Sequence, residues 1–114
     1  MQEFLVIIRG DGRPNTDSAQ DMQQHLQNWQ HWLHELMASG NYVGGQNLES
    51  EGLTVLNSTT VTDRPLAEGK ELIAGYLVLR ASNAAAAAEL VKGCPSLPYG
   101  STFEIRAIRQ LHLS

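Results

Sequence analysis

The sequence predicts one α+β domain, and three observations predict it. Two apolar runs, residues 4–9 and 72–80, read as strands. Residues 19–39 repeat apolar side chains at spacings of four and three, the period of an amphipathic helix. A second helical segment, built around five consecutive alanines at residues 84–88, separates the second of those strands from a last one at residues 102–108.

Size and composition fit that class. The chain has 114 residues, enough for one domain, and 42% of them are apolar, enough for a packed core. Charged residues are 18% of the total, which excludes a disordered tail. The net charge is −4 and the eight lysines and arginines are scattered, so nucleic acid is not an expected partner. The N-terminus lacks the basic leader and small-residue cleavage site of a secretory signal. No apolar stretch approaches the ~20 residues that span a bilayer. Cys94 is the one cysteine, so there is no internal disulfide framework. The expectation is a cytoplasmic protein with no membrane association.

Along residues 4–9, Phe4, Val6 and Ile8 share one face and Leu5 and Ile7 the other. Gly10-Asp11-Gly12 breaks the strand, and a polar loop leads to Ser18, which with Asp21 forms a variant capping box. Met22, Leu26, Trp29, Leu33 and Leu36 draw an apolar stripe down the long helix, and Gly40 stops it. Tyr42 to Leu56 reads as short strands in a hairpin-like excursion with its turn near Glu51-Gly52. Residues 59–62 read as another short strand, ended by Asp63-Arg64-Pro65. Ser82 is placed to cap the second helix, with Gly93 as its stop. The order strand, helix, hairpin, strand, helix, strand is that of a ferredoxin-like split βαβ with an antiparallel sheet.

A homodimer follows from two strands that are apolar on both faces. Both helices of such a domain pack on one face of the sheet. Residues 72–80 place Ile73, Leu77 and Leu79 on one face and Leu72, Ala74, Tyr76 and Val78 on the other, and the first strand is likewise apolar on both. An antiparallel sheet with a wet face alternates apolar and polar residues instead. A second copy is the economical cover for an exposed patch of Leu5, Ile7, Leu72, Tyr76 and Val78; the alternative is that the hairpin segment folds back over it.

Several residues together resemble the YCII-related family, and within it the DGPF-type branch. They are Glu3 to Gly10; Trp29 and Trp32 followed by Gly44-Gly45 and Leu48-Glu49; Thr62 to Glu71; Gly75-Tyr76; Lys92 to Pro95; and Glu104 to Arg106. The resemblance implies a dimeric α/β barrel, two sheets facing each other with a cavity at or near the interface. It also implies acid–base chemistry through a His–Asp pair, and, for some members, a link to extracytoplasmic-function sigma factors. The stretch that names the branch departs from it here, with Arg64 where the family has Gly and Leu66 where it has Phe. A glycine of positive φ at that position would require a different turn in this chain, or strain.

Asp63 leads the candidate residues, as a general acid or base facing a cleft or as an Asx-type turn residue. Glu68, Lys70 and Glu71 follow within eight residues and read as assisting groups or as a solvated charge run. His25 falls between Trp29 and Trp32 on the helical wheel, at the edge of the apolar stripe. It reads as a general base oriented by a carboxylate, or as a core-edge histidine satisfied by backbone. Trp29 and Tyr76 are candidate cavity walls, Tyr76 also a donor. His31 and His34, with Glu35 beside them, have metal-like spacing but no third ligand, so no metal is expected. Cys94 reads as a small buried thiol, and Gly10-Asp11-Gly12 is too short and too acidic to cradle phosphate. The expectation is a small-molecule-binding domain, with or without isomerase or lyase chemistry of an acid–base kind, using no cofactor. The alternative is a non-catalytic interaction or sensor module of transcriptional regulation.

Overall fold

Local sequence decides where each element of this chain begins and ends. A computed structural model describes residues 1–65 and 72–110. In order these are β1 (Gln2–Arg9), α1 (Ala19–Ala38), β2 (Tyr42–Asn47), β3 (Thr54–Asn57), β4 (Thr60–Thr62), β5 (Ile73–Ala81), α2 (Ala84–Val91), a 3-10 helix (Leu97–Tyr99) and β6 (Thr102–Ala107).

Ser18 caps α1, its hydroxyl accepting from the Asp21 N–H at 3.2 Å. The reciprocal half of the capping box is absent. Asp21 instead accepts from the Thr16 hydroxyl, and the same hydroxyl accepts from the Ser18 N–H. Gly40 ends the helix with φ +78, which lets Asn41 N–H reach back to Leu36 C=O and Gly40 N–H to Met37 C=O. That pair of bonds is a Schellman motif, which glycine adopts without the Cβ penalty. The expected cap of α2 shifts by one residue: Asn83, not Ser82, accepts from the Ala86 N–H at 2.8 Å.

Four strands form an antiparallel sheet in the order β2-β5-β1-β6, the order of a ferredoxin-like α+β fold. Phe4, Val6 and Ile8 on β1 and Leu77, Leu79 and Ala81 on β5 are buried. Trp32 and Leu36 of α1 and Ala87 and Val91 of α2 pack against these residues. Both helices therefore cover the same face. The opposite face carries Leu5 opposite Val78 and Ile7 opposite Tyr76, all half-buried, between the ion pairs Glu3–Arg80 and Arg9–Glu104. No described helix lies over it. Ile73, on the same face as Leu77 and Leu79, is 40% exposed; it pairs with Arg9, where the register shifts.

Two further expectations change. The apolar stripe of α1 departs from expectation at one residue: Met22, Trp29 and Leu33 are half-buried and Leu36 buried, but Leu26 is 58% exposed, and His25 and Trp32 are buried beside them. The spacing 22-25-29-32-36 holds the same helical period. The hairpin is also not folded about Glu51-Gly52. Tyr42–Asn47 joins the main sheet as an edge strand, and the hairpin pairs β3 with β4 in a separate two-stranded sheet. Arg64 takes no left-handed backbone, so its turn carries no strain of that kind.

Candidate functional site

The site begins with a kinked segment. Pro95 and Pro98 bracket Ser96 and Leu97, and proline's fixed φ cannot extend α2, so the chain winds through tight turns. Leu97 N–H bonds to Cys94 C=O, Tyr99 N–H to Ser96 C=O and Gly100 N–H to Leu97 C=O. Gly100, at φ +92, then turns the chain into β6. The winding places Ser96 inside, 4% exposed, and leaves Tyr99 half exposed beside α1.

His25 and Trp29 lie one turn apart on α1, facing this segment. Trp29 Nε1 donates to Ser96 Oγ at 2.8 Å, and Ser96 Oγ lies 3.4 Å from His25 Nε2. An indole N–H can only donate, so the serine oxygen accepts there and has its own proton left for the histidine. Which of the two donates across this contact is set by the imidazole tautomer. Tyr99 packs edge-on to the imidazole, ring centres 5.5 Å apart at 80°. Trp29 stands edge-on to Trp32, which donates to Leu90 C=O at 3.3 Å and so ties α1 to α2. Gly12 seals the underside: a Cβ there would lie 2.0 Å from Ser101 Oγ and 2.6 Å from Ser96 Cβ. The Gly10-Asp11-Gly12 stretch thus serves close approach.

Over the buried imidazole lies a cleft of about 410 Å³. Asp21, Gln24, His25 and Asn28 of α1 line it with Pro14, Asn15 and Thr16 of the preceding loop and Tyr99 opposite. His25 is 6% exposed and sits among hydroxyl, amide and phenol groups. A group of this kind can exchange a proton with a small molecule or fix its orientation.

Comparison with protein-family models matches residues 4–112 to the YCII-related domain, nearly the whole chain. The chain belongs to the YCII-related family. No curated protein matches it.

In this YCII-related domain the candidate residues are divided between places. His25 and Trp29 converge on Ser96. Asp63 lines a second cleft, of about 630 Å³, with Ser50, Glu51, Gly52, Leu53, Arg64 and Pro65. A single protomer therefore does not bring Asp63 and His25 into one cleft. Tyr76 pairs with Ile7 on the sheet face away from the helices, and so away from His25. Glu68, Lys70 and Glu71 lie outside the described residues.

Burial pushes the Cys94 thiol up to about 11, with the backbone N–H groups of Ser96 and Leu97 offsetting it in part, so the buried cysteine is no nucleophile at neutral pH. His31 pairs with Glu35 at 2.9 Å on the exposed side of α1. Among the described residues no three His, Cys, Asp or Glu side chains gather as a metal would require. No described helix is long and apolar enough to cross a membrane.

Ser96, Tyr99 and the polar rim were not among the sequence candidates. Asp21, Gln24 and Asn28 recur at spacings of three and four, a signal that one polar helix face carries them. The two prolines around Ser96 mark a rigid turn.

Proposed function

We propose that the YCII-related domain is a small-molecule-binding domain that works as a cytoplasmic homodimer and holds its ligand in the cleft over His25. One observation carries this: a buried imidazole, held through Ser96 by Trp29, forms the floor of an otherwise polar cleft. A merely structural histidine needs no such opening above it. In this reading His25 is an acid–base group for isomerase or lyase chemistry that uses no cofactor. Asp63 is a ligand contact in its own cleft. The stretch at residues 62–71 supports the finer placement in the DGPF-type branch.

The dimer rests on the uncovered sheet face. Leu5, Ile7, Tyr76 and Val78 form an apolar centre, and charged pairs rim it. Symmetric pairing of two such faces would bury the centre and leave the pairs at the edge. Sedimentation velocity at micromolar concentration tests it: a dimer for the wild type and a folded monomer for Val78→Glu is the expected pair, and a monomeric wild type refutes it.

Ligand-observed NMR screening tests the cleft. Binders of the wild type should be lost together in His25→Gln and Tyr99→Ala, with circular dichroism unchanged. Binding retained in both variants would remove this cleft from the function.

The second reading is a non-catalytic interaction or sensor module of transcriptional regulation. The β3–β4 hairpin favours it: Leu53, Val55, Leu56 and Val61 are each more than half exposed, and residues 53–62 carry no charge. Serine at Val55 and Val61 that abolishes a regulatory phenotype while leaving ligand binding intact would select this alternative.

A further inference from the structure

We infer that the cleft over His25 takes neutral, polyhydroxylated molecules of roughly monosaccharide size and rejects anions. This rests on the cleft being a small-molecule site and adds the chemical class of its occupant. Asp21 is the one carboxylate in the lining, and neither lysine nor arginine contributes to it. An anion would enter beside that charge on a protein of net charge −4.

The rim also has a definite donor and acceptor pattern. Asp21, Gln24 and Asn28 follow at spacings of three and four on one face of α1. Gln24 Nε2 donates to Asn28 Oδ1 at 2.9 Å, which leaves Gln24 Oε1 as an acceptor beside Asn28 Nδ2 as a donor. The Thr16 hydroxyl donates to Asp21 Oδ2 at 2.9 Å, which leaves Oδ1 as a second acceptor. Adjacent hydroxyls each donate and accept, so they match this mixed set. A carboxylate or phosphate only accepts, so it leaves Gln24 Oε1 unmatched and is repelled by the Asp21 carboxylate. Tyr99, 49% exposed, offers a ring edge or face to the C–H surface of a cyclic ligand. The volume, about 410 Å³, lies in the range of small-ligand sites.

Three sugars with one ring skeleton test the class: D-glucose, D-glucosamine and D-glucuronate, titrated into ¹⁵N-labelled protein. Glucose, and glucosamine at a pH where its amine is uncharged, should shift the side-chain amide signals of Gln24 and Asn28 saturably. Glucuronate should bind roughly tenfold more weakly, the scale of a single partly screened like charge. Gln24→Ala with Asn28→Ala, both at exposed positions, should abolish the glucose-induced shifts of the His25 and Tyr99 backbone amides in a folded protein. Asp21→Asn should bring glucuronate close to glucose. Glucuronate binding as tightly as glucose overturns the proposal. So does a cleft that responds to an anionic or aromatic fragment but to none of the sugars, which would leave the small-molecule site standing with the wrong class. A cleft that responds to no fragment of any charge sinks both.

Discussion

Replacing Ser96 by alanine removes one hydroxyl and strands two groups. Trp29 Nε1 loses an acceptor at 2.8 Å and His25 Nε2 a neighbour at 3.4 Å. Losing a typical hydrogen bond costs about 1 kcal/mol, and a buried donor left without a partner costs ~1–3 kcal/mol. The histidine contact is long and adds little. A loss of about 2 kcal/mol is therefore expected, which for a chain of this size lowers Tm by roughly 6–10 °C. Urea unfolding, followed by tryptophan fluorescence and far-UV circular dichroism at fixed protein concentration, measures it. The midpoint should fall with an unchanged slope. Trp29→Phe in the same background completes a double-mutant cycle, whose coupling should be about 1 kcal/mol. A Ser96→Ala protein within ~0.5 kcal/mol of wild type, or strict additivity with Trp29→Phe, would refute the serine as the link between histidine and tryptophan.

Gly12→Ala should cost at least about 3 kcal/mol, because φ is +58 and the new Cβ would overlap Ser101 and Ser96, whereas Gly40→Ala, with open space around it, should cost about 1–2 kcal/mol; equal losses in urea unfolding would contradict this. Cys94, with its thiol raised to about 11 by burial, should react with a disulfide reagent at pH 8 only as the protein unfolds; fast native labelling would argue against its burial. The Arg9 guanidinium hydrogen-bonded to Glu104 holds that carboxyl below the usual glutamate value. Its contribution to stability is therefore complete above the ordinary glutamate range and fades as pH falls through the lowered value. Glu104→Gln should flatten the acid limb of the stability profile below about pH 4, and an unchanged limb would exclude the pair as its source.

Much of the fold was legible because its signals are local. Ser18 and Gly40 bound α1 through local hydrogen bonds, and the apolar runs of β1 and β5 read directly as strands. The exposure of Leu26 was not legible. Hydropathy alone favours Leu26 over His25 for the inward position, and the partners that meet the buried imidazole, Ser96 and Tyr99, are distant in sequence. The hairpin was displaced for a similar reason: Tyr42–Asn47 finds its partner in β5, across a long stretch of chain, while β3 and β4 find each other. Half of the site was visible in His25 and Trp29. Ser96 carried no periodic signal, since its role comes from a proline-bracketed turn, and Tyr76 shares an apolar strand whose two faces the sequence does not distinguish by function.

A residue-resolved map of amide shifts, taken while a mixed library of neutral, cationic and anionic small molecules is added to the intact protein, tests the location of function most directly. Saturable shifts centred on Gln24, His25, Asn28 and Tyr99 are predicted. Shifts confined to the cleft around Asp63, or none in either cleft, would contradict it.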